Sequence, residues 1–207
     1  YLLDFLVTLL EIPSPTGYAD QALAAIEKEL QKIPVPSLRY TRKGALVATL
    51  PGEKNDAPRA LTAHADTLGA MVKEIKTNGR LKLTRIGSFA WNTVEGEGVT
   101  VFTRSGERLR GALLLKKASG HVHGKEVETS KRDEDTMEVR LDARTESDEE
   151  TRRLGVSVGD FVAFDPRVER ANGFIRSRHL DDKASVACVL AAVKALHEAG
   201  LQPSQDA

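Results

Sequence analysis

The sequence contains a single cysteine, Cys188, among 207 residues, so no disulfide can form within the chain. This excludes the small secreted domains that depend on disulfides and favours a reducing compartment, most simply the cytoplasm. Because Cys188 lies in an apolar stretch, we expect it to be a small core residue and not a nucleophile.

The chain also has no excess of either charge, because 30 lysines and arginines balance 30 aspartates and glutamates. General nucleic-acid or membrane-surface binders carry a basic excess, so neither partner is expected here. No apolar run reaches the roughly 20 residues that span a bilayer. The opening YLLDFLVTLLE lacks the basic start and cleavage site of a signal peptide, and without an initial Met we expect a few residues to precede it.

The first third of the sequence is typical of an α/β domain. Apolar residues at three-to-four spacing predict helices over residues 2–10 and about 18–32, the second ended by Pro34 and Pro36. The breaker-rich PSPTG separates these helices. The segments GALVATL and RALTAHAD then predict two strands.

Residues 69–170 have a different texture, with short alternating segments separated by turns such as Asn78-Gly79 and Ser105-Gly106. This pattern predicts a small β-barrel or sandwich. One helix interrupts it, beginning at Ser147 with a capping box completed by Glu150. The polar stretch HGKEVETSKRDED predicts an exposed loop.

A last hairpin turns at Asn172-Gly173, and an apolar helix then runs from Asp182 to about Ala199. We expect this helix to bury one set of residues: Val186, Val189, Leu190, Val193 and Leu196. The predicted plan is an α/β domain formed by residues 1–68 and 171–207, interrupted by a β domain of residues 69–170.

Two short motifs could carry chemistry, and the first is AHAD. Side chains two apart on a strand share a face, so His64 and Asp66 would lie together at a strand end. A metal-ligating imidazole is commonly supported by such a carboxylate, which fixes its tautomer. The alternative is a polar strand end with an incidental hydrogen bond.

The second motif is the adjacent pair Asp181-Asp182 at the start of the apolar helix. One Asp would serve as N-cap and the other would complement the helix dipole, or one of them could bridge two cations. Both motifs follow predicted strands, and sites in α/β sheets form at the carboxyl ends of strands. The combination therefore indicates a metal site.

The order AHADTLG, GVSVGDFVAFDPR and RSRHLDDKASV closely resembles the M42 family of metallo-aminopeptidases, and so does the opening LLEIPSPTGYADQ. The resemblance extends along essentially the whole chain. It implies a three-layer α/β/α metallopeptidase domain, incomplete at its C-terminus, with a barrel-like insertion that mediates oligomerisation.

The resemblance also implies roles for single residues. His64 would ligate one of two divalent cations, zinc or cobalt being the first candidates, and Asp66 would assist catalysis by orienting His64. Asp181 would bridge the two metals, and its bond to Asp182 is often cis in the family. The substrate would be a short peptide that loses its N-terminal residue, and the assembly a homo-oligomer such as a tetrahedral dodecamer.

The family continues with a Glu-Glu pair, an Asp and a His that would follow Ala207. We therefore expect this chain to be an N-terminal part that is inactive alone. Glu149-Glu150 is not a substitute, because SDEETRR predicts a solvated helix face. Two other functions stay open: a non-catalytic assembly or binding fragment, and a carbohydrate-active hydrolase, which would need paired catalytic carboxylates.

Four other side chains receive no catalytic role. His121 and His123 in GHVHG could share a strand face but are expected to be surface residues, while His179 precedes the Asp pair without a role that transfers. Trp91 would either pack the insertion or form an intersubunit contact.

Overall fold

The computed structural model describes residues 1–33 and 37–207. They form two compact units, one of Tyr1–Thr67 with Pro166–Ala207 and one of Leu68–Asp165. The predicted fold class, an α/β chain interrupted by a barrel-like β domain, is confirmed. The division into a catalytic domain and an oligomerisation domain of residues 69–170 stays a prediction. Pro34 and Pro36, predicted to end the second helix, lie outside the described residues.

The helices and strands are named in chain order. The helices are α1 (Leu2–Leu10), α2 (Asp20–Leu30), α3 (Gly120–His123), α4 (Glu126–Thr129), α5 (Asp148–Arg153) and α6 (Leu180–Glu198). The strands are β1 (Ser37–Tyr40), β2 (Leu46–Thr49), β3 (Gly69–Ile75), β4 (Leu81–Ile86), β5 (Gly98–Phe102), β6 (Arg108–Leu115), β7 (Met137–Leu141), β8 (Phe161–Phe164), β9 (Glu169–Ala171) and β10 (Phe174–Arg176). No helix in these two ranges is long and apolar enough to cross a membrane.

The first unit is built around the contact between α1 and α6. The apolar stripe of α1 places Leu9 and Leu10 at full burial, and α6 contributes Val186, Ala187 and Leu190 to the same core. Helix α2 and two antiparallel pairs, β1 with β2 and β9 with β10, complete the regular structure described in this unit.

The prediction that RALTAHAD forms a strand is wrong. Residues 59–66 have no regular secondary structure. A strand requires a neighbour that shares its backbone hydrogen bonds. Among the described residues, Thr67, which directly follows this segment, forms a single parallel bridge with Pro15 in the loop after α1.

The faces of α6 also differ from the prediction. Val186 and Leu190 are buried, but Val189, Val193 and Leu196 are only partly buried. Cys188, predicted to be a core residue, is exposed. Successive helical residues differ by about 100°, so a position two residues after Val186 points away from the core.

The second unit is a closed barrel with the strand order β3-β4-β7-β6-β5-β8. Alternate residues of each strand point inward, so the core is mostly aliphatic. The predicted hairpins at Asn78-Gly79 and Ser105-Gly106 both form, since Lys76 pairs with Arg80 and Thr103 with Glu107 across the turns. Gly79 and Gly106 have φ angles of 77° and 92°, which favour glycine.

Two details of the barrel unit decide earlier alternatives. Trp91 is only 5 % exposed and packs edge-on against Phe89, so it belongs to the barrel core. The stretch HGKEVETSKRDED was predicted to be a loop, but its first half contains the end of α3 and all of α4. His121 and His123 consequently lie on a short helix and not on a strand face.

Candidate metal centre

His64 lies between two carboxylates. Its Nδ1 is 3.2 Å from Oδ1 of Asp66 and 3.0 Å from the Asp66 carbonyl oxygen. Its Nε2 is 3.1 Å from Oδ1 of Asp181. The structure thus brings together the three residues that sequence reasoning singled out, although residues 59–66 form no strand.

Asp66 is fixed on the side away from the imidazole. Its Oδ2 accepts a hydrogen bond of 2.5 Å from the hydroxyl of Thr16, in the loop that follows α1. The carboxylate therefore connects this loop with Nδ1 of His64, and it is suited to hold the ring in one orientation.

Asp181 and Asp182 are joined by a cis peptide bond, as the resemblance implied, and both have non-helical dihedral angles. The side chain of Asp181 is 95 % exposed, so its carboxylate is open beyond the contact with His64. Helical geometry resumes at Lys183, which makes Asp182 the residue that flanks the regular helix.

Asp182 caps this helix. Its carboxylate accepts hydrogen bonds from the side chain and backbone of Ser185 and from the backbone N–H of His64, and these hold the pKa of Asp182 below its usual value. An acceptor bound by the backbone three residues later is the usual N-cap arrangement. The two carboxylates consequently have different partners: Asp182 the helix start, and Asp181 the imidazole.

The residue after this pair is a buried lysine. Lys183 is 0 % exposed, and its Nζ donates to the carbonyl oxygens of Leu9 at 2.9 Å and Ile12 at 2.7 Å. Burial lowers the pKa of Lys183 to about 8. The carbonyls at the end of α1 carry the negative end of the helix dipole, so they suit a cation.

Both ring nitrogens of His64 face oxygen acceptors, so the contacts together favour a positive charge at the ring, either a second proton or a bound cation. A neutral imidazole has one N–H, and the other nitrogen is an acceptor that repels a carboxylate oxygen. With Nδ1–H directed at Asp66, Nε2 can face Asp181 only through a second proton or a shared cation. Burial lowers the pKa of His64, but the hydrogen bonds and charges of Asp66 and Asp181 outweigh it and raise that pKa.

The donor set fits a divalent cation of the zinc type. Imidazole nitrogen and carboxylate oxygen are both zinc ligands, and two donors on a tetrahedral zinc ion lie about 3.4 Å apart, given bond lengths of about 2.0–2.2 Å. The separation of 3.1 Å between His64 Nε2 and Asp181 Oδ1 is close to this value. Asp66 contacts the opposite ring nitrogen, so it cannot share that cation and is placed as a support.

Within residues 1–33 and 37–207, no group of three or more such side chains is arranged to hold a metal ion. Glu149 and Glu150 lie on α5 in the barrel unit, where Glu150 binds the backbone N–H of Glu146, in keeping with their predicted surface role. His179 adopts a left-handed conformation just before the Asp pair.

Sequence reasoning missed the residues that surround this group. Lys183 follows the Asp pair directly, but a lysine at a helix start reads as exposed, and its burial depends on α1. Thr16 and Ser14 lie in the PSPTG segment, which in sequence reasoning is a helix terminator and part of the family resemblance, with no role at the site. The available signal is a polar side chain after each of two prolines, Ser14 after Pro13 and Thr16 after Pro15.

Residues 44–205 match the sequence model of a family described as M42 glutamyl aminopeptidase. The chain is 47 % identical to "Putative aminopeptidase YhfE" of Bacillus subtilis over 197 residues, which cover 95 % of this chain and 56 % of that protein. It resembles the aminopeptidase APDkam598 of the archaeon Desulfurococcus kamchatkensis with 26 % identity and a TM-score of 0.84, over 99 % of this chain and 54 % of that one.

A second similar structure is the TET1 peptidase of Pyrococcus horikoshii, which can assemble into a tetrahedron or a large octahedral shell. Its identity is 24 % and its TM-score 0.81, over 98 % of this chain and 58 % of the other, so it supports the fold alone. The chain spans about half the length of the relatives that it matches.

Proposed function

This chain belongs to the M42 glutamyl aminopeptidase family, and from that membership we propose that it supplies part of the dinuclear metal centre of an aminopeptidase. The complete enzyme removes N-terminal residues from short peptides. The observation that carries the proposal is the placement of His64 Nε2 3.1 Å from a carboxylate oxygen of Asp181, a separation that a shared divalent cation fits.

Each of the three residues has its own task. His64 and Asp181 would hold the first cation, and the exposed Asp181 carboxylate would be available to the second. Asp66 is a positioning residue, because it acts on the substrate only through the orientation of His64. The chemistry that two divalent cations, zinc or cobalt in the first instance, would supply when bound is a lowered pKa of a water and a polarised scissile carbonyl.

The remaining metal ligands and the general base are separate from His64, Asp66 and Asp181. The relatives contain almost as much sequence again as the part that this chain spans. We place there the remaining ligands and the general base that takes the proton of the attacking water. A polypeptide limited to these 207 residues is accordingly expected to bind metal weakly and to be inactive.

The compartment and the assembly form a further part of the proposal. The single cysteine suits a cytoplasmic enzyme. The TET1 peptidase can assemble into a tetrahedron or a large octahedral shell, and by analogy we propose a homo-oligomer for this protein, with the barrel unit as the assembly domain. The peptide is the proposed partner, and the balanced charge favours neither nucleic acid nor membrane.

The test uses a full-length M42 polypeptide in which these residues are followed by the remaining family sequence. We expect two metal ions per chain, aminopeptidase activity on aminoacyl anilides that chelators abolish, and no measurable turnover in His64→Asn or Asp181→Asn. Asp66→Asn should lower metal affinity by about 10- to 100-fold, as supporting carboxylates usually do. Metal content and turnover are the two measurements.

Matched controls are His121→Asn and Asp148→Asn, which change the same residue types within the barrel unit. Both should keep wild-type metal content and turnover. Near-normal peptide hydrolysis in His64→Asn or Asp181→Asn would contradict the proposal. Stable oligomers with no turnover would favour a non-catalytic assembly role, and hydrolysis of glucan substrates would favour the carbohydrate-active alternative.

A further inference from the structure

The two segments that carry the candidate ligands are far apart in sequence, and one of them has no regular structure. Residues 59–66 form neither helix nor strand, yet His64 must keep its position against Asp181 if both are to hold one cation. The contacts that fix this segment therefore decide how well the site is organised before metal arrives.

The backbone N–H of His64 donates to Asp182, and the loop after α1 contacts the residues that follow. The Ser14 side chain, which is 0 % exposed, donates to the Ala65 carbonyl at 2.7 Å, and the Ser14 carbonyl accepts from the N–H of Thr67 at 2.7 Å. Thr16 binds Asp66 through its hydroxyl and the Thr67 carbonyl through its N–H. Residues 65–67 are thus held on both sides of Asp66.

Lys183 holds the other end of the same loop. Its ammonium group donates to the carbonyl oxygens of Leu9 and Ile12, one on each side of the end of α1. Both of these acceptors are neutral carbonyl groups and not carboxylates. Lys183 is also the first helical residue after Asp181 and Asp182. The chain from Ile12 to Thr16 consequently links the helix that starts beside Asp181 to the segment that carries His64 and Asp66.

We propose that Lys183 is a positioning residue of the metal centre. By clamping the end of α1 onto the start of α6, it sets the loop that places His64 against Asp181. An apolar residue of the same length would fill the space but could not bind the two carbonyls. The hydrogen bonds to these two carbonyls offset part of the cost of burying the ammonium group, and they fix the loop that holds the ligand segment.

This inference rests on the proposed function, but its first test needs no enzyme activity. Lys183→Met retains the length of the side chain and removes the donors, and Val186→Ala is the control because it weakens the same core from the same helix. The ring ¹⁵N resonances of His64, assigned by their loss in His64→Asn, report the contacts with Asp66 and Asp181. We expect Lys183→Met to shift and broaden them and Val186→Ala to leave them unchanged.

The second measurement is a titration of the 207-residue chain with Zn²⁺ alone, followed by the same resonances. We expect Lys183→Met to weaken zinc binding about tenfold and Val186→Ala to weaken it less than twofold. Unchanged His64 resonances in Lys183→Met, or equal effects in the two variants, would overturn the inference. If Lys183→Met lacks the native circular dichroism, Lys183→Gln is measured under the same criteria.

The two proposals fail in different ways. If the wild-type chain and the full-length enzyme bind no zinc at His64, the metal centre is wrong, while the metal-free ring resonances still decide whether Lys183 positions His64. If zinc binds and Lys183→Met behaves like Val186→Ala, the metal centre stands and Lys183 serves only the stability of the core.

Discussion

Glu138 shows how a single residue of the barrel can make stability depend on pH. Its side chain is 3 % exposed and accepts hydrogen bonds from Lys76, at 2.5 Å, and from Arg80. Burial alone would raise the pKa of Glu138, but these two partners outweigh it and the pKa is lowered. Burial also lowers the pKa of Lys76, so the permanently charged Arg80 is the more dependable partner.

Because the folded-state pKa of Glu138 is depressed, the ionised side chain favours the folded state above its unfolded pKa. That contribution is lost as the pH falls through the folded pKa. Glu138→Gln should therefore destabilise the protein by about 3 kcal/mol at pH 7, the usual cost of breaking a buried pair. It should also remove the part of the stability loss that Glu138 causes as the pH falls below its unfolded pKa of about 4.3.

Urea unfolding at several pH values, followed by the fluorescence of Trp91, measures both effects. Glu134→Gln is the control, since Glu134 forms a more exposed pair with Lys73 and should change stability by less than about 1 kcal/mol. If the free energy of unfolding falls equally steeply with decreasing pH in Glu138→Gln and in wild type, this account is contradicted.

Among the elements, α5 shows what a cap contributes to a helix of only six residues. The Ser147 hydroxyl accepts from the N–H of Glu150 at 3.3 Å, and Thr151 is anchored to the Gly79 carbonyl at 2.8 Å. Ser147→Ala removes the cap and should cost about 1 kcal/mol in the free energy of unfolding, whereas Ser147→Gly should cost only about 0.3 kcal/mol. Urea unfolding of wild type and the two variants measures these differences in the free energy of unfolding. Equal stability of Ser147→Ala and wild type would show that Thr151 alone holds the helix.

Elements whose partners are close in sequence could be predicted, and others could not. The hairpins at Gly79 and Gly106 and the cap at Ser147 depend on a few neighbouring residues, and all three form as predicted. RALTAHAD has a good strand pattern, but a strand also needs a neighbour, which no local pattern reveals. Cys188 was misjudged because α6 is apolar on more than one face, so its composition did not identify the buried one.

The candidate site also contains residues that the sequence predicts and supporting contacts that it does not. The positions of His64, Asp66 and Asp181 followed from motifs, and the structure brings the three side chains together. Their metal-binding roles stay predictions. The supporting contacts of Lys183 and Thr16 depend on the packing of α1 and its following loop against distant segments. No spacing in the sequence encodes those contacts, so only the structure reveals them.

At the scale of the whole molecule, each unit has its own core and the two cores share no residue. The three longer helices, α1, α2 and α6, belong to the first unit, and the single tryptophan, Trp91, belongs to the barrel. Far-ultraviolet circular dichroism at 222 nm and tryptophan fluorescence consequently report mainly on different units.

This division gives a prediction for a matched pair of core variants. Leu9 in the first unit and Leu83 in the barrel are each at most 1 % exposed, and changing either to alanine should cost about 2–5 kcal/mol by leaving a cavity. We expect Leu9→Ala to lower the urea midpoint of the helical signal and Leu83→Ala to lower that of Trp91 fluorescence, each with a smaller effect on the other signal. Equal shifts of both signals in either variant would mean that the chain unfolds as one cooperative unit, because a single transition moves every probe together.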